Sequence, residues 1–338
     1  MNQCVLITGA SGFIGSNLAK RILTDAPDTR VIGLDNMNDY YDVRIKEARL
    51  KELQAFPNYV FVQGNLADKN LVFDLFETHH PEIVVNLAAQ AGVRYSIVNP
   101  DAYVESNLLG FFHILEACRH YPVEHLVYAS SSSVYGANKK VPYSTEDKVD
   151  NPISLYAATK KSNELMAHVY SHLYDLPTTG LRFFTVYGPW GRPDMSPMLF
   201  AKAIMENKPI KIFNHGDMAR DFTYVDDIVE GVYRVIEKPA KADNTWQSDH
   251  PDPASSSAPY RVYNIGNSSP VKLMDYVQAM ETAFGKEAIK EFLPMQAGDV
   301  QHTFSDVSDL EKDFDYRPTT PLEEGLKNFA NWYFEYFK

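Results

Sequence analysis

Cysteine is scarce in this 338-residue chain, with Cys4 and Cys118 the only two. Both fall in apolar stretches, as buried thiols in a reducing compartment do. No apolar run reaches the length of a transmembrane helix, and no signal peptide precedes the first apolar run. The expectation is a soluble, cytoplasmic protein without a membrane partner. Positive charge is in deficit, and a net charge of −12 argues against a general nucleic-acid binder. An anionic ligand would have to be held by local cations. None of the ten histidines stands at zinc-motif spacing, and His79-His80 lacks companion ligands, so no metal is expected. A nucleophile elbow, a P-loop and an internal repeat are all missing. What remains, 45% hydrophobic and 22% charged residues, is ordinary for a globular protein. The length suits one large α/β domain or a large domain carrying a smaller one.

Glycine is placed with purpose near the start. The apolar run Cys4-Val5-Leu6-Ile7-Thr8 has the composition of a buried parallel strand. Gly9-Ala10-Ser11-Gly12-Phe13-Ile14-Gly15 follows, and Ile14, Leu18 and Ile22 then recur at helical spacing. A strand, a glycine-rich turn and a helix let backbone approach a pyrophosphate and aim a helix N-terminus at its charge. Glycine spacing alone is a weak signal, since turns and close packing also use glycine. Asp35 strengthens it, ending a second apolar run twenty residues after Gly15. A carboxylate there accepts from a ribose hydroxyl and repels a 2′-phosphate, which favours NAD over NADP. The competing reading is a strand-end Asp that serves only a turn.

Strand and helix then alternate. Helices are expected near 43–53, 68–79, 100–119 and 151–174, and strands near 59–62, 82–87, 124–129 and 178–184. That order implies a doubly wound parallel α/β sheet with right-handed crossovers. Ligands bind such sheets at the carboxyl ends of the strands. Asn36, the turn at Asn65 and Leu66, and the segment from Leu87 through Ala88, Ala89 and Gln90 all fall there.

So does Ser130-Ser131-Ser132-Ser133-Val134-Tyr135, which in isolation would be a flexible polar turn. Tyr156 and Lys160 follow, four apart on one face of a helix. An ammonium held near a phenol lowers its pKa from about 10 and makes a general base usable near neutral pH. Taken alone, such a pair is common on solvated helices.

Together the glycine turn, the serine cluster and Tyr156-x-x-x-Lys160 resemble the extended short-chain dehydrogenase/reductase superfamily, within it the nucleotide-sugar epimerases and dehydratases. The likeness covers essentially the whole chain. It is strongest to the branch that inverts C4 of UDP-glucuronate, through Met37-Asn38-Asp39-Tyr40-Tyr41-Asp42, Gln90-Ala91-Gly92-Val93-Arg94-Tyr95-Ser96 and Ser154-Leu155-Tyr156-Ala157-Ala158-Thr159-Lys160-Lys161. The resemblance implies a Rossmann NAD-binding domain over 1–185, to which 214–235 and 261–266 return. A smaller mixed α/β domain for the nucleotide sugar would span most of 186–338. It implies Ser131, Tyr156 and Lys160 as catalytic residues. Gly9, Gly12, Phe13, Ile14, Gly15, Asp35, Asn36, Asn65, Leu66, Leu87, Ala88, Ala89, Gln90 and Asn107, with Tyr156 and Lys160, would hold NAD. A homodimer through the helices carrying Asn107 and Tyr156 is implied too.

For the UDP-sugar, Ser132, Ser133 and Thr185 are candidates to hold a sugar carboxylate, with Arg192 or Arg94 as charge partners. The bland alternative is that the serines satisfy strand-end backbone and the arginines form surface ion pairs. By resemblance Phe213 packs on uracil, Arg220 contacts the diphosphate and Asp299 the uridine ribose. The dehydratases carry an acidic pair where Ser132 and Ser133 stand, which argues against dehydration here. Asp226 is expected as a helix N-cap, and 239–259 as a polar surface excursion. Two other readings stay open: a C4 epimerase for a neutral UDP-hexose or UDP-N-acetylhexosamine, and a non-catalytic NAD-binding sensor.

Overall fold

The structure, a computed structural model, describes residues 3–296 and 301–338. Its strands are β1 (Cys4–Thr8), β2 (Arg30–Asp35), β3 (Tyr59–Gln63), β4 (Ile83–Asn86), β5 (His125–Ser131) and β6 (Thr178–Phe183), then β7 (Thr185–Tyr187), β8 (Pro209–Ile212), β9 (Ala219–Tyr224), β10 (Tyr260–Ile265), β11 (Pro270–Lys272) and β12 (Ile289–Phe292). Seven of them form one sheet in the order β10-β6-β5-β4-β1-β2-β3, with every neighbour parallel. The doubly wound parallel sheet expected from the sequence is present. Its order reverses between β1 and β4, and that switch point opens the crevice in which open α/β sheets take ligands.

Both faces of the sheet are covered, which is why its strands are near-continuous apolar runs. Val5 and Ile7 point to one face and pack with Leu18 and Ile22 of helix Phe13–Asp25. Leu6 points to the other, with Val72 and Phe76 of helix Lys69–His79. Each such aliphatic side chain contributes about 1.5–3 kcal/mol by leaving water. Two smaller sheets follow in the C-terminal half, β11-β9-β7 and β12-β8.

Several local expectations are corrected. The serine strand runs through Ser131 rather than stopping at Ala129, because Ser130 and Ser131 continue the ladder to Arg182 and Phe183. The helix expected from residue 151 starts at Leu155, where the Ser154 side chain accepts from the Ala157 N–H at 3.1 Å. The stretch 101–120 is helical but widens into a π turn over Val104–Leu109. Asp226 does not cap its helix. Tyr224 is the N-cap of Val225–Ile236, and Asp226 sits exposed in the first turn, where it suits the helix dipole. The segment 239–259 carries no helix or strand, yet it is anchored at its end. Ala254, Ser255 and Ser256 are buried, and Ala254 O accepts from the Val262 N–H at 2.8 Å. Cys118 is buried and Cys4 half-buried, and both are free thiols whose pKa burial raises.

Candidate active site

A single cleft runs along the carboxyl edge of the sheet, and the first glycine turn forms part of its wall. Gly9 has φ +70°, and a Cβ there would lie 2.9 Å from the Ala88 nitrogen. A Cβ at Gly15 would come within 2.2 Å of the Gly9 carbonyl oxygen. Only glycine allows the turn to close this tightly on β4 and on the helix. Gly12 caps helix Phe13–Asp25 with no side-chain bond to its first N–H groups. An uncapped helix N-terminus beside a close-packed turn is a cradle for a pyrophosphate.

Asp35 is buried at the end of β2, where Oδ2 accepts from the Ser11 N–H at 3.0 Å and Oδ1 from the Met37 N–H at 2.9 Å. Each oxygen keeps a second lone pair, and Asp35 and Asn36 both line the cleft. Beside them is Lys46, which sequence reasoning missed. Its buried ammonium donates to Asn38 O and Oδ1, each at 2.8 Å. Burial lowers its pKa and the nearby Asp35 opposes that. Lys46, Arg49 and Leu53 recur at helical spacing, so a cation standing in a buried stripe was the available signal.

Asn65, Leu66, Leu87, Ala88, Ala89 and Gln90 line the next part of the wall. Asn107 does not reach it. Its carboxamide accepts from the Gln90 N–H at 2.8 Å and donates to Gln90 O at 3.0 Å, and it also donates to Thr159 Oγ1 at 3.0 Å. The side chain therefore backs the Gln90 turn from behind, and its neighbour Ser106 is the one on the wall.

Ser131, Tyr156 and Lys160 meet on the same cleft. The Ser131 hydroxyl donates to Ser133 Oγ and accepts from the Ser133 N–H, both at 3.2 Å, and it also hydrogen-bonds Tyr156. The electrostatics differ from the sequence expectation. Burial raises the Tyr156 phenol above its ordinary value, with Ser131 and Arg192 opposing. Burial likewise lowers the Lys160 ammonium to about 8. Lys160 Nζ donates to the Ala129 carbonyl at 2.8 Å, so here the ammonium leans on β5. A buried ammonium needs a full acceptor, and the strand-end carbonyl supplies one.

One turn beyond Lys160, Glu164 is buried and accepts from Ser130 Oγ at 2.7 Å. Arg182 of β6 grips it through Nε at 2.9 Å and Nη2 at 3.0 Å. The helix face that carries Tyr156 and Lys160 is thus tied to the serine strand one residue before Ser131. Neither Glu164 nor Arg182 was singled out from the sequence, although an acid two turns after Tyr156 on its own face was the visible sign.

Ser132, Ser133, Thr185 and Arg192 also line the cleft. Arg94, Phe213 and Arg220 are not on its described wall. Exposed Arg94 stands over the Phe213 ring, 5.3 Å from its centre, a cation–π contact. Arg220 Nη1 donates to Ala219 O and Gln301 O, each at 2.9 Å. Asp299 lies outside the described residues. Among the described residues the cleft wall has one carboxylate, Asp35.

Comparison with known proteins agrees with this geometry. The model of the NAD dependent epimerase/dehydratase family matches residues 5–266. Protein CapI of Staphylococcus aureus is 56% identical over 99% of each chain. A probable UDP-glucuronate 4-epimerase of Rhizobium meliloti is 47% identical over 97% of this chain and 96% of its own. The crystal structure of UDP-glucuronic acid 4-epimerase from Bacillus cereus, in complex with UDP-glucuronic acid and NAD, superposes with a TM-score of 0.87. That match has 31% identity and covers 98% of this chain and 99% of the other. On the family match across most of its length and on these relatives, the chain belongs to the NAD dependent epimerase/dehydratase family.

Proposed function

We propose that this protein inverts C4 of UDP-glucuronate, reversibly giving UDP-galacturonate, with tightly bound NAD. The observation that carries the reading is the meeting of Ser131, Tyr156 and Lys160 on the same cleft as the glycine turn and Asp35. The residues fit NAD. Gly9, Gly12 and Gly15 close a cradle that a Cβ would block, and the helix N-terminus beside it carries no side-chain cap. Asp35 keeps lone pairs for a ribose and would repel a 2′-phosphate. NAD, when bound, supplies the group that takes and returns a hydride.

Tyr156 removes the proton of the sugar 4-hydroxyl while Ser131 hydrogen-bonds the same oxygen. Ser131 and Arg192 oppose burial and favour the phenolate form of Tyr156, while Lys160, anchored on the Ala129 carbonyl, would bind the nicotinamide ribose. Oxidation at C4 gives a 4-keto sugar, and reduction from the opposite face returns an inverted alcohol. No electrons are gained or lost overall, so the cofactor need not leave. A 4-keto sugar with a C5 carboxylate is a β-keto acid prone to losing carbon dioxide. Ser132, Ser133, Thr185 and Arg192 hold that carboxylate with the breaking bond out of line with the carbonyl π system.

Residues 1–185, with 214–235 and 261–266, form the NAD-binding part, and 186–338 mainly hold the nucleotide sugar. The protein works as a homodimer in the cytoplasm. Support for the dimer comes from Leu165, Val169 and Leu173, which are 58%, 47% and 61% exposed along one face of helix Leu155–Tyr174, with exposed Leu109 and Phe112 on 101–120. Support for the compartment comes from the two free thiols.

The test is incubation of purified protein with UDP-glucuronate and no added cofactor, followed by proton NMR. UDP-galacturonate without carbon dioxide is the expected product. Turnover of UDP-glucose or UDP-N-acetylglucosamine instead would move the substrate to a neutral sugar. No turnover of any of them, with NAD added, would remove the catalytic reading.

A further inference from the structure

The loop after β2, Met37 to Asp42, has no part in the chemistry above, yet it reaches across the cleft. Tyr40 lines the wall, and its hydroxyl donates to Asp194 Oδ2 at 3.2 Å. Its ring lies against Tyr95, with centroids 4.7 Å apart. Asp194 in turn accepts from Arg192 Nε at 3.0 Å and from Nη2 at 2.6 Å. Tyr41 holds the same region through Arg49, whose Nη1 donates to Tyr41 Oη at 3.0 Å and whose Nη2 donates to Trp190 O at 2.6 Å. Two adjacent tyrosines of one loop therefore brace the base and the tip of the segment that carries Arg192.

The shape of the grip matters. A guanidinium has five N–H donors in a planar fork. Asp194 takes the side-on edge, made of Nε–H and one Nη2–H. The end-on edge, Nη1–H and the second Nη2–H, has no protein acceptor among the described residues. That edge has the spacing of a bidentate carboxylate contact.

We infer that Asp194, steadied by Tyr40, is a positioning residue that sets the preference of this cleft for an acidic sugar. It grips Arg192 side-on and so presents the end-on edge to the sugar carboxylate. The inference rests on the proposed hexuronate reading. The Arg192–Asp194 pair is neutral as a whole, so preference comes from which edge faces the ligand rather than from net charge. A carboxylate on the end-on edge sits next to the guanidinium, with Asp194 on the guanidinium's other side.

Charge-conserving variants test this, because removing the Asp194 charge would also remove a repulsion and confuse the sign. Asp194→Glu keeps the charge and displaces the fork by one methylene. Tyr40→Phe keeps the ring and deletes only the bond to Asp194, and it serves if Asp194→Glu fails to fold. Calorimetry with saturating NAD would measure binding of UDP-glucuronate and, as a probe lacking the sugar, of UDP. Expected in Asp194→Glu is about tenfold weaker binding of UDP-glucuronate, equivalent to about 1.4 kcal/mol, with UDP changed less than about twofold. Tyr40→Phe should move the same way by about threefold, and both should release a larger share of decarboxylated product. UDP and UDP-glucuronate weakening together, or neither weakening, would overturn the role. If the unaltered protein binds and converts UDP-glucuronate no better than UDP-glucose, the hexuronate reading itself fails and takes this inference with it.

Discussion

Acid should loosen this protein through one buried pair. Burial alone would raise the Glu164 carboxyl. The Arg182 guanidinium, with help from Lys161 and the Ser130 hydroxyl, outweighs burial and holds it at about 2 against an ordinary 4.5. A carboxylate depressed in the folded state contributes stability that is present above its unfolded pKa and is lost as pH falls toward the folded one. The full contribution is about 3 kcal/mol, and about 1.4 kcal/mol of it should be gone near pH 3.5. Glu164→Gln removes the titrating group and leaves Arg182 buried without its counter-charge, at a cost of about 3–5 kcal/mol at neutral pH. Urea unfolding followed by tryptophan fluorescence, run on both proteins from neutral pH down to about pH 3.5, gives the gap between them. That gap should narrow by about 1.4 kcal/mol on acidification. A gap constant to within about 0.3 kcal/mol would refute the assignment of acid sensitivity to this pair.

Other perturbations address the cleft directly. Tyr156→Phe should lower turnover by about 10²–10⁴-fold, the range for losing a general acid–base group, while NAD released on denaturation stays at wild-type content. Gly15→Ala should cost the protein its cofactor, since the new Cβ would meet the Gly9 carbonyl at 2.2 Å; nucleotide content by chromatography reads this out. Leu165→Glu combined with Leu173→Glu should convert the proposed dimer to a monomer by light scattering, because both side chains stand exposed on one helical face. An unchanged mass would remove that face from the interface.

What was legible in the sequence is what short-range order decides. The strand–turn–helix at Gly9 to Gly15 is written in consecutive residues, and Tyr156 with Lys160 shares a face by helical spacing alone. Their arrival on one cleft follows from the parallel order of the strands, whose carboxyl ends all point one way. The hidden parts depend on partners far away in the chain. Tyr40 and Asp194 are separated by 154 residues, and nothing local in either segment announces the other. Asn107 likewise has its partners elsewhere in the chain. Its carboxamide has two strong partners on the backbone of Gln90, so it turns to the chain and away from the cleft. Lys160 shares the cleft with Tyr156, but its bond to the Ala129 carbonyl, 31 residues away in the chain, is invisible in spacing.

The chemistry of the cleft wall also decides between inversion and elimination, two fates open to a 4-keto sugar. Elimination needs an acid placed to protonate the departing oxygen. Among the described residues the wall offers one carboxylate, Asp35, and both its oxygens already accept backbone N–H bonds at the end of β2. Around Tyr156 the wall presents the hydroxyls of Ser131, Ser132, Ser133 and Thr185. An aliphatic hydroxyl is far too weak an acid to expel a leaving group, but it can hydrogen-bond a carboxylate and hold it still. In the proposed mechanism, the same hydroxyls that stand where elimination would need an acid are the ones that would restrain the β-keto acid, and both consequences favour return of the hydride over loss of any other group.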